Sequence, residues 1–286
     1  SASLDVLAGR VAARWRDGDR LEITTEDVEL VDSTGLAVDA LAGRQTLVFD
    51  ADWRLENARI SLLAADATDL LELARAMPLP AALARRIDRW RVGGRIDGAA
   101  LEWRAGGDAP DYAIDVRFSE LALALGGSPR GGAAPGFEGL SGTARLDPSG
   151  GGLAIAGGGA VLRLPGLLEQ DAIGLDRYDA RVDWRRDPVE GLEVAIERFG
   201  FENEDAAGRI HGRWRPSATG GPGVVDLEAT VDRADGRSAW RYLPLRMNEK
   251  ARRWVREAIQ AASGREGRLR LRGDLARFPF RDPASG

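Results

Sequence analysis

The chain has 286 residues, 44% hydrophobic and 30% charged, a balance that suits a folded core and excludes a disordered chain. A formal net charge of −5 and a pI of about 5.2 argue against nucleic acid as the main partner. The absence of cysteine excludes disulfides and thiolate chemistry, and no apolar run is long enough for a membrane-spanning helix.

The chain begins at Ser1 without a signal peptide and reads as a segment of something longer. Its first patterned stretch is the octet "GRVAARWR", 9–16. Neighbouring side chains on a strand point to opposite faces, so Val11, Ala13 and Trp15 share one face while Arg10, Arg14 and Arg16 share the other. That alternation predicts a strand with one dry and one wet face. Leu21 and Ile23 repeat it against Glu22 and Thr24.

A helical stretch follows at 66–90, able to start at Thr68 and broken by Pro78 and Pro80, with a second short helix presenting Leu83, Ile87 and Trp90. Strand patterns resume at 94–103 and over Tyr112, Ile114, Val116 and Phe118. "GGSPRGGAAPG", 126–136, reads as a long loop or weak boundary inside a single elongated segment covering 1–286, because the strand pattern is the same on both sides.

Beyond it, Val182 and Trp184, then Leu192, Val194 and Ile196, alternate with polar residues. The octet returns at 208–215 as "GRIHGRWR", with Ile210 and Trp214 opposite Arg209, His211, Arg213 and Arg215. Val225, Leu227, Ala229 and Val231 follow, and near the end Leu269 and Leu271 are framed by arginines. Between them lies a predicted helix, 248–264, with Asn248 as N-cap, Gly264 as stop and an apolar stripe of Ala251, Trp254, Val255, Ala258 and Ile259.

Roughly a dozen strands at about 4.8 Å make a sheet roughly 55–60 Å wide, and a helix covers about 10 Å. The predicted helices therefore cannot cover the apolar face. The sheet either folds onto itself as a sandwich or barrel, or curls into an open trough whose dry face holds something apolar. The residue pattern leaves both open.

Catalytic chemistry finds little foothold. The single histidine, His211, lies on a charged face and cannot build a histidine metal site. "GGGLAIAGGG", 150–159, is phosphate-loop-like in composition but leads into a strand pattern rather than a helix. Glu202, Glu204 and Asp205 cluster in "FENEDAAG" without the spacing of a calcium loop, so a charged turn is the simpler reading. The arginine stripes are offset by acidic stripes such as Asp226, Glu228 and Asp232, as expected of cross-strand ion pairs. No cofactor and no metal is expected.

The last third carries a resemblance. Tyr242-Leu243-Pro244, a helix with Trp254, a glycine after it, Gly273-Asp274-Leu275 and Phe278-Pro279-Phe280 occur in that order, preceded by "FEGLSG" at 137–142, "LRLP" at 162–165 and "YDARVDW" at 178–184. Together they resemble the YhdP family within the AsmA-like group, best over 137–280. The resemblance implies a mainly β fold: a long, twisted, curled antiparallel sheet forming an apolar groove, with two short helical segments lining it. It implies a periplasmic location in a Gram-negative bacterium, attached to the inner membrane through a helix outside this segment. Its implied task is carrying phospholipid between inner and outer membranes, without catalysis. On that reading acyl chains lie along Val11, Trp15, Ile114, Val116, Val182, Trp184, Ile210, Trp214, Leu269 and Leu271. The alternative is a closed β-module that scaffolds envelope partners.

Overall fold

A computed structural model describes residues 4–16, 20–32, 37–76, 84–85, 87–106, 111–126, 134–187, 191–217, 221–245, 247–259, 263–264 and 266–277. Strands make up 67% of the structure, so the fold is mainly β, as the alternation predicts. The chain divides into two compact units: Ser1–Gly126 with Ser141–Pro148, and Gly127–Leu140 with Ser149–Gly286.

The first unit is a ladder of long antiparallel strands. Strands β1 (Leu4–Arg16), β2 (Arg20–Asp32), β3 (Ala37–Phe49) and β4 (Leu55–Leu62) pair in chain order, each with the next. Next come β5 (Ala65–Asp66), helix α1 (Ala67–Ala76), β6 (Trp90–Arg104) and β7 (Asp111–Leu125). Strand β6 pairs with β4, β5 and β7. Helix α1 buries Ala67 and Leu71, one turn apart, and packs against β3, β5 and β6. The second predicted helix is corrected at one point: Trp90 is the first residue of β6, while Leu83 lies outside the described residues.

In the second unit, Gly136–Leu140 of β8 (Gly136–Asp147) lead into β9 (Gly150–Gly157), β10 (Ala160–Arg163), β11 (Ala172–Leu175) and β12 (Arg177–Asp187). They continue into β13 (Gly191–Glu202), β14 (Ala206–Arg215) and β15 (Val224–Asp235). A 3-10 turn (Gly236–Tyr242), helix α2 (Glu249–Ala258), β16 (Ser263–Gly264) and β17 (Gly267–Asp274) complete it. The main ladder runs β9–β12–β13–β14–β15–β17, with β10 bonded to β8 and β11. In the registers of the described residues β1 pairs with β2 and β17 with β15.

Asn248 caps α2 by accepting from the Lys250 amide, as predicted. The helix stops at Ala258, however, and Gly264 pairs with Ala234 in β16. Nor does its apolar stripe make the main contact. Trp254 is 66% exposed, and the docking side chains are Arg252 and Arg256, both bonded to Glu169. The Arg256 guanidinium also lies 4.3 Å from the centre of the Trp240 ring.

Candidate functional site

The two octets lie in β1 and β14; in β14 exposure alternates as parity predicts, while all eight residues of the β1 octet are exposed. On the polar face of β14, His211 stands opposite Glu228 at 3.5 Å, and Arg209 reaches Asp232 at 3.0 Å. Arg185 reaches Glu193 and Arg270 reaches Asp226, each at 3.3 Å. These are exposed cross-strand pairs, individually worth about 0–1 kcal/mol.

The other face of the second unit is ordered into rows. Trp184, Val194, Trp214 and Val225 are direct neighbours across β12, β13, β14 and β15, with Gly151 and Gly273 at the ends. One step inward lie Leu153, Val182, Ile196, Gly212, Leu227 and Leu271. The next row is Ile155, Ala180, Phe199, Ile210, Ala229 and Leu269. The last contains Tyr178, Phe201 and Val231, with Gly208 between the last two and Gly157 and Gly267 at the ends. All six expected contact residues of this unit therefore share one face, and the register brings them into three adjacent rows.

In the first unit, Val11 and Ile114 occupy one row, through Thr25, Gln45, Ile60 and Leu101. Val116 stands in the next row with Leu62 and Ala99. Trp15 lies in line with Leu21, Phe49 and Leu55 at the strand ends. Sequence reading missed the polar step in the Val11 row: Thr25 donates to Gln45 Oε1 at 2.6 Å, and Gln45 is buried.

Two further groups escaped the alternation rule. Phe199 joins the apolar face because β13 is bulged between Ile196 and Phe199, and the two consecutive charges Glu197-Arg198 were the available signal. The second group is the turn after β13, whose acidic residues are engaged by protein rather than cation. Asp205 accepts from Tyr242 and Arg241, both at 2.9 Å, and Glu204 accepts from Arg241 at 2.7 Å. Asn203 donates to Tyr242 Oη and to the Gly174 carbonyl. Burial would raise the Asp205 carboxyl, but donors from Ser238, Tyr242 and Arg241 outweigh it and hold it below the usual carboxylate range. This clamp fixes the segment after β15 against the end of the sheet, where Leu243 and Arg241 accept from the Glu169 and Gln170 amides. Among the described residues no cluster of His, Cys, Asp or Glu is arranged to hold a metal ion.

The apolar rows are unevenly covered, from Val225 at 4% exposed to side chains that stand largely in solvent. Among the described residues no large side chain is fully enclosed, and Val11, Trp15 and Leu269 are 60%, 62% and 64% exposed. The best-covered cluster, Ala160, Leu175 and Tyr178, sits at one end of the second unit's face, where Tyr178 donates to the Gly139 carbonyl at 2.9 Å. Contiguous apolar surface left open to solvent commonly marks a contact site.

Fold and site together define a mainly β, antiparallel protein whose second unit carries ion pairs on one face and in-register apolar rows on the other. The family model described as YhdP protein matches residues 1–285, and the chain belongs to the YhdP family, bridge-like lipid-transport proteins of the cell envelope. Comparison with curated proteins and with solved structures gave no match. No helix among the described residues is long and apolar enough to cross a membrane.

Proposed function

We propose that this chain is one elongated segment of a periplasmic bridge, binding phospholipid by its acyl chains and passing it between inner and outer membranes. Attachment to the inner membrane, in this reading, comes from a helix outside the segment. The observation that carries the proposal is the in-register stack of apolar rows in the second unit, part of which, as at Leu269, stands open to solvent. Each methylene laid against such a row contributes about 0.8 kcal/mol, so a few dozen buried carbons more than offset the ordering of a lipid. Val11, Trp15, Ile114, Val116, Val182, Trp184, Ile210, Trp214, Leu269 and Leu271 are the proposed contacts. The ionic back keeps the segment in water, and the protein carries rather than transforms its cargo.

The test is native mass spectrometry of the purified chain, followed by organic extraction and lipid analysis. Phospholipid at near-stoichiometric amounts supports the proposal. A lipid-free protein that also fails to take up fluorescent phospholipid overturns it and favours the scaffold alternative.

A further inference from the structure

The apolar face of the second unit has two unlike ends. Strands β12 and β14 run the same way, and each places its tryptophan next to its exit. Trp184 and Trp214 therefore stand in one row, two strand steps or about 10 Å apart. The Trp214 indole N–H is already bonded to the Pro222 carbonyl at 2.8 Å, which holds the ring at the margin. One step further out on the same face, Arg186 stands opposite Leu192. Arg186 is exposed and, among the described residues, makes no ion pair. Most arginines on the polar back, by contrast, face a carboxylate.

The opposite end is more closely packed. There Tyr178 is 4% exposed, packed with Ala160 and Leu175 and flanked by Phe201. Between the two ends the face is about 20 Å deep, taking Val225 to Val231 along β15 at about 3.4 Å per residue. One leaflet of a bilayer's hydrocarbon core is about 15 Å thick. An acyl chain laid along the strands thus spans this depth once, and its polar end falls at one margin. An aromatic ring suits the boundary between apolar and wet surroundings, and a free guanidinium suits a phosphate.

We propose that phospholipid lies along the strands of the second unit with a fixed polarity, its phosphate at Arg186 beside the Trp184–Trp214 row and its acyl ends toward Tyr178. This rests on the acyl-chain binding proposed above and assigns its orientation. The cargo would then slide sideways from strand to strand with its headgroup along one margin.

The chain has no cysteine, so single labels can be placed cleanly. Leu192→Cys marks the tryptophan margin and Val231→Cys the far end, each carrying bimane. Each labelled protein is mixed with phosphatidylcholine vesicles doped with lipid bearing a nitroxide on either the headgroup or the acyl end. The expected pattern is crossed: the headgroup nitroxide removes bimane emission at Leu192→Cys and spares Val231→Cys, while the acyl-end nitroxide does the reverse. A reversed pattern, or equal quenching at both positions, overturns the polarity while leaving lipid binding intact. No quenching by either lipid at either position overturns the binding itself.

Discussion

The Tyr242 hydroxyl lies 2.9 Å from Asp205 Oδ2, joining residues 37 positions apart. It shares that carboxylate with Arg241, while Asn203 bonds both the tyrosine and the Gly174 carbonyl. The contact ties the segment leaving β15 to the turn between β13 and β14. Replacing Asp205 by Ala strips a buried network of its acceptor and is expected to cost about 3 kcal/mol in chemical denaturation. Tyr242→Phe leaves the Arg241 pair in place and should cost about 1 kcal/mol.

The same carboxyl sets an acid limb. Its folded pKa is depressed, so its contribution is fully present above the unfolded value of about 3.9 and is lost as pH falls through the lower folded value. Stability of the native chain should fall over that window more steeply than that of Asp205→Asn, measured by denaturant midpoints across the acid range. Parallel curves for the two proteins would remove Asp205 from the account.

Exposure separates binding from stability on the apolar face. Leu269 is 64% exposed, so Leu269→Asp should change stability by less than about 0.5 kcal/mol while lowering phospholipid loading. Ile210→Asp, mid-row and half-buried, should abolish loading with the sheet still folded by circular dichroism. Unfolding of the Ile210 variant would mean that its row is closed core.

Gly212 occupies an apolar row at φ 143°, and a Cβ there would meet the Asp226 carbonyl at 2.1 Å. Gly212→Ala should therefore cost about 2 kcal/mol or more. Gly174→Ala, which meets nothing within 4 Å, is the matched control, expected within about 0.5 kcal/mol of the native chain.

Helix α2 buries none of its residues and is held through Glu169, which receives both Arg252 and Arg256. Glu169→Gln should accelerate amide exchange across 249–258 by about tenfold or more, equivalent to losing one charged hydrogen bond, without changing exchange in β15. Unchanged protection in α2 would show that Val255 and Ile259 hold the helix instead.

The alternation of residues was enough to sort the faces. Side-chain parity put Val182, Trp184, Ile210, Trp214, Leu269 and Leu271 on one side, and the registers agree. What parity could not reveal is anything that depends on a neighbour distant in sequence. The bulge before Phe199 shifts the period by one, and the buried Thr25–Gln45 pair looks like ordinary surface polarity until β2 and β3 are set side by side. The Asn203–Asp205 turn reads as solvated charge because its partners arrive from the segment after β15. Helix α2 reads as amphipathic from spacing, yet its dock is decided by Glu169, remote in the chain.

In the second unit, the strands of the main ladder are bonded to their immediate neighbours, and β12 and β14, one strand apart, bring their tryptophans to the same margin. Such a ladder behaves as a one-dimensional array, in which stability adds up from nearest-neighbour terms. It follows that the natural increment of growth is two strands. Duplicating or deleting a hairpin would lengthen or shorten the ladder while restoring chain direction, dry side and aromatic margin together. A lone inserted strand would reverse the direction of every strand that followed.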